Sequence, residues 1–334
     1  MQPMHMADVL ELLAYHKDLP EDMAAESFGR LMDGTMTPAQ AGSFLMGLKT
    51  KGETANELAA AVKAALAHAR LAPGLSGARI DTCGTGGDKS CSFNCSTAVA
   101  LVLAGMGYQV VKHGNRAITS ACGSADAVEA LGLPLVTEPE DVAAELARRR
   151  FVFLFAPSYH PAFKHIMPIR KEIGCRTLFN LLGPLLNPAR PTHQILGVSI
   201  PRFLTRMAKV LALTGVQKAA VVHGEGGLDE LTPFGLNTVV WMREGWLREE
   251  VLDPRDLGFG AGSPEAVAVA TREEAVDALR RVLAGKGPQA MMDMVALNLA
   301  VALHLLEDRL SLGDAADRAR EALAAGVGEK PLHA

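Results

Sequence analysis

Apolar positions fall into two regimes along the chain. From residue 1 to about 70 they recur at helical spacing, and no stretch alternates as a strand does. Pro20-Glu21-Asp22 places acids in a first helical turn, with Met23, Phe28 and Leu31 on its buried side. Thr37-Pro38 with Gln40, and Thr54 with Glu57, are helix starts of the capping-box kind. These residues predict a small helical bundle. Residues 71–77 are rich in glycine and proline and read as the linker that follows it. Beyond the linker, short apolar runs of strand length alternate with helical patterns. Strands are predicted at 78–83, 108–111, 151–155, 195–198 and 219–222, and helices at 97–106, from 124 to just before Gly132, at 138–150 and at 202–213. A hairpin is predicted from 238–242 and 246–251 around Arg243-Glu244-Gly245, and mostly helix from Pro264 onward. Strand–helix–strand alternation of this kind predicts an α/β fold with a mainly parallel central sheet.

Composition narrows the class without naming a function. The 334 residues are 49% apolar and 21% charged with a net charge of −4, which is ordinary for a globular chain and argues against bulk binding to nucleic acid or a membrane surface. Any basic site is therefore local. Five cysteines at irregular spacings, with no secretory signal at the start, predict reduced thiols in a cytoplasmic protein. Apolar runs such as 98–106 are too short to span a bilayer.

Two neighbouring strand-to-helix junctions carry the candidate chemistry. The first contains Gly84-Thr85-Gly86-Gly87-Asp88, and the second Lys112-His113-Gly114-Asn115-Arg116. In an open α/β sheet such loops lie outside the carboxyl ends of the strands, where ligands bind. The first is neither a Walker A loop, since Asp88 holds the place of its second glycine, nor a dinucleotide fingerprint, since Lys89 holds the place of its third. Glycines alone would fit a tight turn, and Asn94-Cys95-Ser96-Thr97 alone a helix cap. Together, beside a helix N-terminus, they suit an anion. The second loop reads either as a solvated charged turn or, with Thr119, Ser120 and Ser124, as further phosphate contacts. Asp229-Glu230, after the strand-like run and its glycines, reads either as a solvated acid pair or as ligands for Mg²⁺ that bridges to substrate phosphates. No C-x-x-C metal spacing and no G-x-S-x-G nucleophile elbow is present.

The ordered set of blocks Asp81-Thr82-Cys83-Gly84-Thr85-Gly86-Gly87-Asp88, Phe93-Asn94-Cys95-Ser96-Thr97, Lys112-His113-Gly114-Asn115-Arg116, Gly123-Ser124-Ala125-Asp126, His160-Pro161-Ala162, the run Arg176 through Leu185, and Gly227-Leu228-Asp229-Glu230 resembles the signatures of the anthranilate phosphoribosyltransferase family. The likeness runs over nearly the whole chain, including Thr37-Pro38-Ala39-Gln40 and Lys51-Gly52-Glu53-Thr54. It implies a helical domain over 1–72, joined by part of about 165–190, packed on an α/β domain over 73–334, with homodimers formed through the helical part. It implies transfer of a phosphoribosyl group from phosphoribosyl pyrophosphate to anthranilate, with Mg²⁺. Gly84, Gly87, Asp88, Ser92, Asn94, Cys95, Ser96 and Thr97 would surround the phosphoribosyl pyrophosphate. Lys112, His113, Gly114, Asn115, Arg116, Ala117, Ile118, Thr119, Ser120 and Ser124 would continue that site. Gly84, Asn115 and Arg170 would bind anthranilate, while Ser96, Asp229 and Glu230 would serve Mg²⁺. Two positions depart from the family pattern, Lys89 where glycine is common and Ala121 where lysine, arginine or serine is frequent. A pyrimidine nucleoside phosphorylase and a nucleic-acid-binding paralogue share the architecture. The first would not keep Asn94 through Thr97 or Asp229-Glu230, and the second calls for a strongly basic surface.

Overall fold

The computed structural model describes residues 4–86, 93–116, 122–260 and 262–334. Four helices open the chain: α1 Met6–Ala14, α2 Glu21–Asp33, α3 Pro38–Lys51 and α4 Ala55–Ala67. Both expected capping boxes form, Thr37 with Gln40 and Thr54 with Glu57, so each helix start has its orphan N–H groups satisfied by side chains. Phe28 and Leu31 are buried, whereas Met23 is only half-buried against the same core.

The α/β part follows as β1 Arg79–Gly84, α5 Cys95–Gly105, β2 Gln109–Gly114, α6 Ser124–Ala130, β3 Leu135–Val136, α7 Val142–Arg149 and β4 Phe151–Phe155. Short helices α8 Ala156–Tyr159, α9 Phe163–Ile173 and α10 Phe179–Leu182 come next, then β5 His193–Gly197, α11 Leu204–Leu213 and β6 Lys218–His223. The hairpin is β7 Asn237–Arg243 and β8 Trp246–Leu252, turned by Glu244 and Gly245, both at positive φ. Helices α12 Arg272–Leu283, α13 Gln289–Leu306, α14 Leu312–Ala324 and α15 Lys330–His333 complete the fold. These strands form one sheet in the order β3-β4-β2-β1-β5-β6-β7-β8, parallel through β6 and antiparallel in the hairpin.

Alternation along the strands divides the core between the two faces of the sheet. Ile80, Val110, Ile195, Ala220 and Val222 pack with α5, α12, α13 and α14 on one face. Leu196, Val198, Ala219 and Val221 pack with α11 and the opening helices on the other. Ile166, Leu178, Phe179, Leu182, Leu185 and Leu186 join that second core, and α9 rests on α2 and α3. The helices that follow the adjacent strands β1 and β5 thus lie on opposite faces, α5 on one and α11 on the other. That arrangement opens a crevice at the carboxyl ends of the two strands.

Three expectations need correction. The short strand β3 escaped the hydrophobic pattern, because two residues carry no period. The strand after Tyr108 runs on to Gly114, so Lys112 and His113 lie within β2 rather than in a solvated loop. Finally, α13 is long and apolar enough to cross a membrane, although the runs considered from the sequence are not. Its burial beneath the sheet, with residues from Ala290 to Leu305 in the core, accounts for its composition.

Glu57 ties the helical bundle together. Its side chain is 1% exposed, and its Oε1 accepts from the Leu19 N–H at 3.0 Å while Oε2 accepts from Lys51 Nζ at 2.9 Å and from the Thr54 N–H at 2.8 Å. Removing one partner of a buried pair leaves the other charge and several backbone donors without it. Glu57→Ala is expected to cost about 3 kcal/mol of stability in urea titrations. A loss below about 1 kcal/mol, the worth of a surface pair, would refute this role.

Candidate active site

The site is built where β1, β2 and β5 end. Each of these strands finishes on a glycine, and the glycines at the centre leave no room for a side chain. A Cβ on Gly84 would overlap the Asp229 carboxylate, and one on Gly197 would overlap the Asp229 carbonyl. The turn carrying Asp229 and Glu230 can therefore lie directly over the strand ends. From there Asp229 Oδ2 accepts from the Gly86 N–H at 2.7 Å, and Glu230 Oε1 accepts from the Ser96 N–H at 2.8 Å. Ser96 stands in the first turn of α5, so the Glu230 carboxylate sits at the positive end of that helix. Residues 143 and 134 positions apart in sequence are thereby brought to one edge.

Around the same helix start, Asn94 Nδ2 donates to the Cys122 carbonyl at 3.1 Å. Asn94 Oδ1 and Thr97 Oγ1 are buried and have no hydrogen-bond partner among the described residues. Lys112 reaches the site from β2. It is 2% exposed; its Nζ donates to the Thr82 carbonyl and lies 3.3 Å from Ser96 Oγ, and burial pushes its pKa down. Asp81, beneath the first loop, is fully buried. Burial raises its carboxyl to about 6 against the opposing pull of Lys112, while Asn187 Nδ2 donates to its Oδ2 at 2.8 Å.

His113 points to the other face of β2. Its Nε2 lies 3.3 Å from His160 Nε2, so one ring carries its proton there and the other accepts. From this pair an aromatic column leads outward: His160 stacks on Phe163 at 5.5 Å, Phe163 meets Phe179 edge-on at 5.6 Å, and the Arg170 guanidinium lies 5.5 Å over the Phe179 ring. The column is how α9 brings Arg170 into register with the end of β2. No signal in the sequence marks it, because a lone histidine or phenylalanine is an ordinary core residue until its neighbours are known.

Not every expected residue converges. Asn115 and Ser124 do stand at the end of β2, with the Ser124 hydroxyl over Gly114. Arg116 turns away: its guanidinium pairs with Asp126 at 3.0 Å and with Glu129 at 2.9 Å on α6. Cys95 is buried in the first turn of α5, and burial raises its thiol pKa, so it offers no reactive thiolate. Gly87, Asp88, Ser92, Ala117, Ile118, Thr119 and Ser120, along with Lys89 and Ala121, lie outside the described residues.

The donor set fits a hard divalent ion. Two adjacent carboxylates and a hydroxyl, from Asp229, Glu230 and Ser96, supply oxygen ligands only, the kind Mg²⁺ takes. Among the described residues no cluster of three histidine, cysteine, aspartate or glutamate side chains forms a closed cage.

Residues 7–69 match the model of a glycosyl transferase family helical bundle domain, and residues 76–328 that of a glycosyl transferase family a/b domain. An anthranilate phosphoribosyltransferase from Oleidesulfovibrio alaskensis is 58% identical over 331 residues, covering 99% of this chain and 100% of that protein. The chain belongs to the anthranilate phosphoribosyltransferase family. The crystal structure of an anthranilate phosphoribosyltransferase from Thermus thermophilus superimposes with a TM-score of 0.90 at 39% identity, covering 98% of this chain and 97% of that one. The family member from Saccharomyces cerevisiae, solved in complex with phosphoribosyl pyrophosphate and Mg, reaches 0.87 at 28% identity over 98% of this chain and 96% of that one. Fold class and family thus agree with the resemblance read from the motifs.

The histidine pair gives a pH prediction. Burial, then the neighbouring His160, lowers the pKa of His113 to about 3, and burial lowers that of His160 to about 4. Both lie below the ordinary imidazole value near 6.5, so between roughly pH 3 and 6.5 the unfolded chain binds more protons than the folded one. Stability falls as pH drops through that window. Urea midpoints at pH 7 and pH 4.5 should differ less in a His113→Phe, His160→Phe double variant than in the parent. An identical drop in both would reject this account.

Proposed function

We propose that the chain transfers the phosphoribosyl group of phosphoribosyl pyrophosphate to the amine of anthranilate, forming the C1–N bond of phosphoribosyl-anthranilate and releasing pyrophosphate. The observation that carries this reading is the convergence of Asp229, Glu230, Ser96 and Lys112 on the N-terminus of α5 at the carboxyl ends of β1 and β2. Family membership at 58% identity over nearly the whole chain supports the choice of substrates.

An aromatic amine is neutral at pH 7 and needs no strong base to expose its lone pair. The protein's task is then to hold two substrates in line and to stabilise charge on the departing pyrophosphate. The positive end of the α5 dipole and the Lys112 ammonium beside Ser96 Oγ stabilise the developing anion. Each charge-assisted hydrogen bond there is worth roughly 1.5–3 kcal/mol. Asn94 Oδ1 and Thr97 Oγ1 supply further buried polar atoms at the same helix start. Asn115 lies at the border between the two substrates, and Arg170, half-buried beside Phe179, presents a planar fork to the anthranilate carboxylate. Ser96, Asp229 and Glu230 would hold Mg²⁺, which when bound neutralises charge on the leaving pyrophosphate. A homodimer through the helical domain and a cytoplasmic setting belong to the same reading, since both follow from the family resemblance.

Addition of phosphoribosyl pyrophosphate and Mg²⁺ should abolish anthranilate fluorescence in the presence of the folded protein. No turnover over a broad range of Mg²⁺ and substrate concentrations would sink the assignment. Arg170→Ala should raise the KM for anthranilate roughly 10- to 100-fold, the loss of about one charge-assisted hydrogen bond, and leave that for phosphoribosyl pyrophosphate near the parent value. Equal damage to both would reject the carboxylate role. Asp229→Asn and Glu230→Gln should each raise the Mg²⁺ concentration for half-maximal rate by roughly tenfold or more. An unchanged Mg²⁺ titration would remove them as ligands.

A further inference from the structure

The amino ends of the strands carry a second site, on the edge of the sheet opposite the catalytic crevice. A cavity of about 240 Å³ opens there between α4, α11 and the segments leading into β1, β5 and β6. None of the residues that hold phosphoribosyl pyrophosphate, anthranilate or Mg²⁺ in the reading above lines it. One half of its wall is apolar, with Leu66, Leu185, Leu211 and Val216. The other half carries Thr192, Thr214 and two guanidinium groups, those of Arg79 and Arg190.

Among the described residues, the two arginines are placed without a counter-charge. Arg79 Nε donates to the Ala189 carbonyl at 2.9 Å and Nη1 to the Gly77 carbonyl at 3.0 Å, which fix the group by neutral acceptors alone. Its pKa is lowered by burial and by the Arg190 charge, with no carboxylate acting against them. Arg190 is exposed at the cavity mouth and sits at φ 47°, in the left-handed region that a side chain of its size seldom occupies. Its N–H donates to the Asn187 carbonyl at 3.0 Å, which closes the turn that presents it. Two like charges turned toward one cavity, one of them on a strained backbone, repel each other unless an anion lies between them. Arg79, half-buried over the apolar floor, and Arg190, exposed at the mouth, together suit a ligand with an apolar body and an anionic end.

We propose that this cavity binds a small organic carboxylate, its anionic end held by Arg79 and Arg190 and its body seated on Leu66, Leu211 and Val216. Size sets the class. An apolar cavity of about 150 Å³ accommodates benzene, so 240 Å³ suits one ring or a short branched chain with a carboxylate attached. The walls are largely fixed before any ligand arrives: Gln194 Nε2 donates to the Pro184 carbonyl at 2.6 Å, and Asn187 Nδ2 is committed to Asp81 and to the Val111 carbonyl. The site does not depend on which reaction the opposite edge performs.

Benzoate, which lacks the amine, is the probe, titrated into the full-length protein and followed by ligand-observed NMR. Because benzoate also fits an acceptor subsite at Arg170, the titration is run on the parent, on Arg170→Ala and on Arg190→Gln. Arg170→Ala is expected to retain a benzoate site, which Arg190→Gln weakens by about tenfold or more, the worth of one charge-assisted hydrogen bond. Turnover by Arg190→Gln should match the parent. Val216→Phe, which fills the apolar half, should weaken benzoate to a similar degree. Benzoate binding that vanishes in Arg170→Ala and is unchanged in Arg190→Gln would overturn the proposal, since all of it would then lie at the acceptor subsite. Inorganic phosphate serves as the second titrant; phosphate binding to Arg170→Ala that is tighter than benzoate binding and is weakened by adding Arg190→Gln would also overturn it, because the apolar floor of this cavity would then contribute nothing.

Discussion

The candidate site depends on the missing side chains at Gly84 and Gly197. Both stand at the last position of a buried parallel strand, and both are covered by Asp229, one by its carboxylate and the other by its carbonyl. Any larger residue would force the 229–230 turn off the sheet. With the turn in place, two carboxylates that come after β6 in sequence hang over the helix that follows β1. The result is a compact alternation of charges: the α5 dipole and Lys112 on one side, Asp229 and Glu230 on the other. A polyanionic substrate with a divalent ion would match that alternation, its phosphates toward the positive groups and the ion toward the carboxylates.

Sheet topology decides where this can happen. Strands β1 and β5 are neighbours, yet the chain leaves them toward opposite faces, so neither following helix covers the gap between their ends. The helical bundle is held to the same region by a continuous core rather than by a polar seam, since Leu196, Val221 and Met242 of the sheet pack into one cluster with Phe28, Leu45 and Leu58 of the bundle. The segment between β4 and β5 contributes to that cluster as well. Through the column from His113 to Phe179, it also carries Arg170, whose guanidinium suits an aromatic acid. The placement of Arg170 is thus a consequence of packing.

Burial sorts the titratable groups by task. His113 and His160 face each other away from water and stay neutral well below pH 7, so they shape the wall and add no charge. Lys112 is buried beside backbone and hydroxyl oxygens, where a positive charge acts at short range and with little screening. Arg116, exposed and paired with α6, contributes to the stability of its own loop. Of three basic-looking neighbours in sequence, only Lys112 is directed at the crevice: His113, the next residue of the strand, faces the opposite side, and Arg116, beyond the strand end, is held by the carboxylates of α6.

Local chemistry made several features readable from the sequence. The two capping boxes, the continuous apolar strand from Phe151 to Phe155 and the hairpin over Glu244 and Gly245 rest on contacts a few residues long, and the structure reproduces them. The motifs at Gly84, Asn94 and Asp229 also pointed to the candidate site, because in combination after strands they suit an anion better than a turn or a cap alone. What only the tertiary structure decided involves partners far apart in the chain. The meeting of Glu230 with Ser96, the turning of His113 toward His160 and the cavity between Arg79 and Arg190 all depend on which strands lie side by side. Strand order is set by the global packing of two helix layers on one sheet, and no local period encodes it.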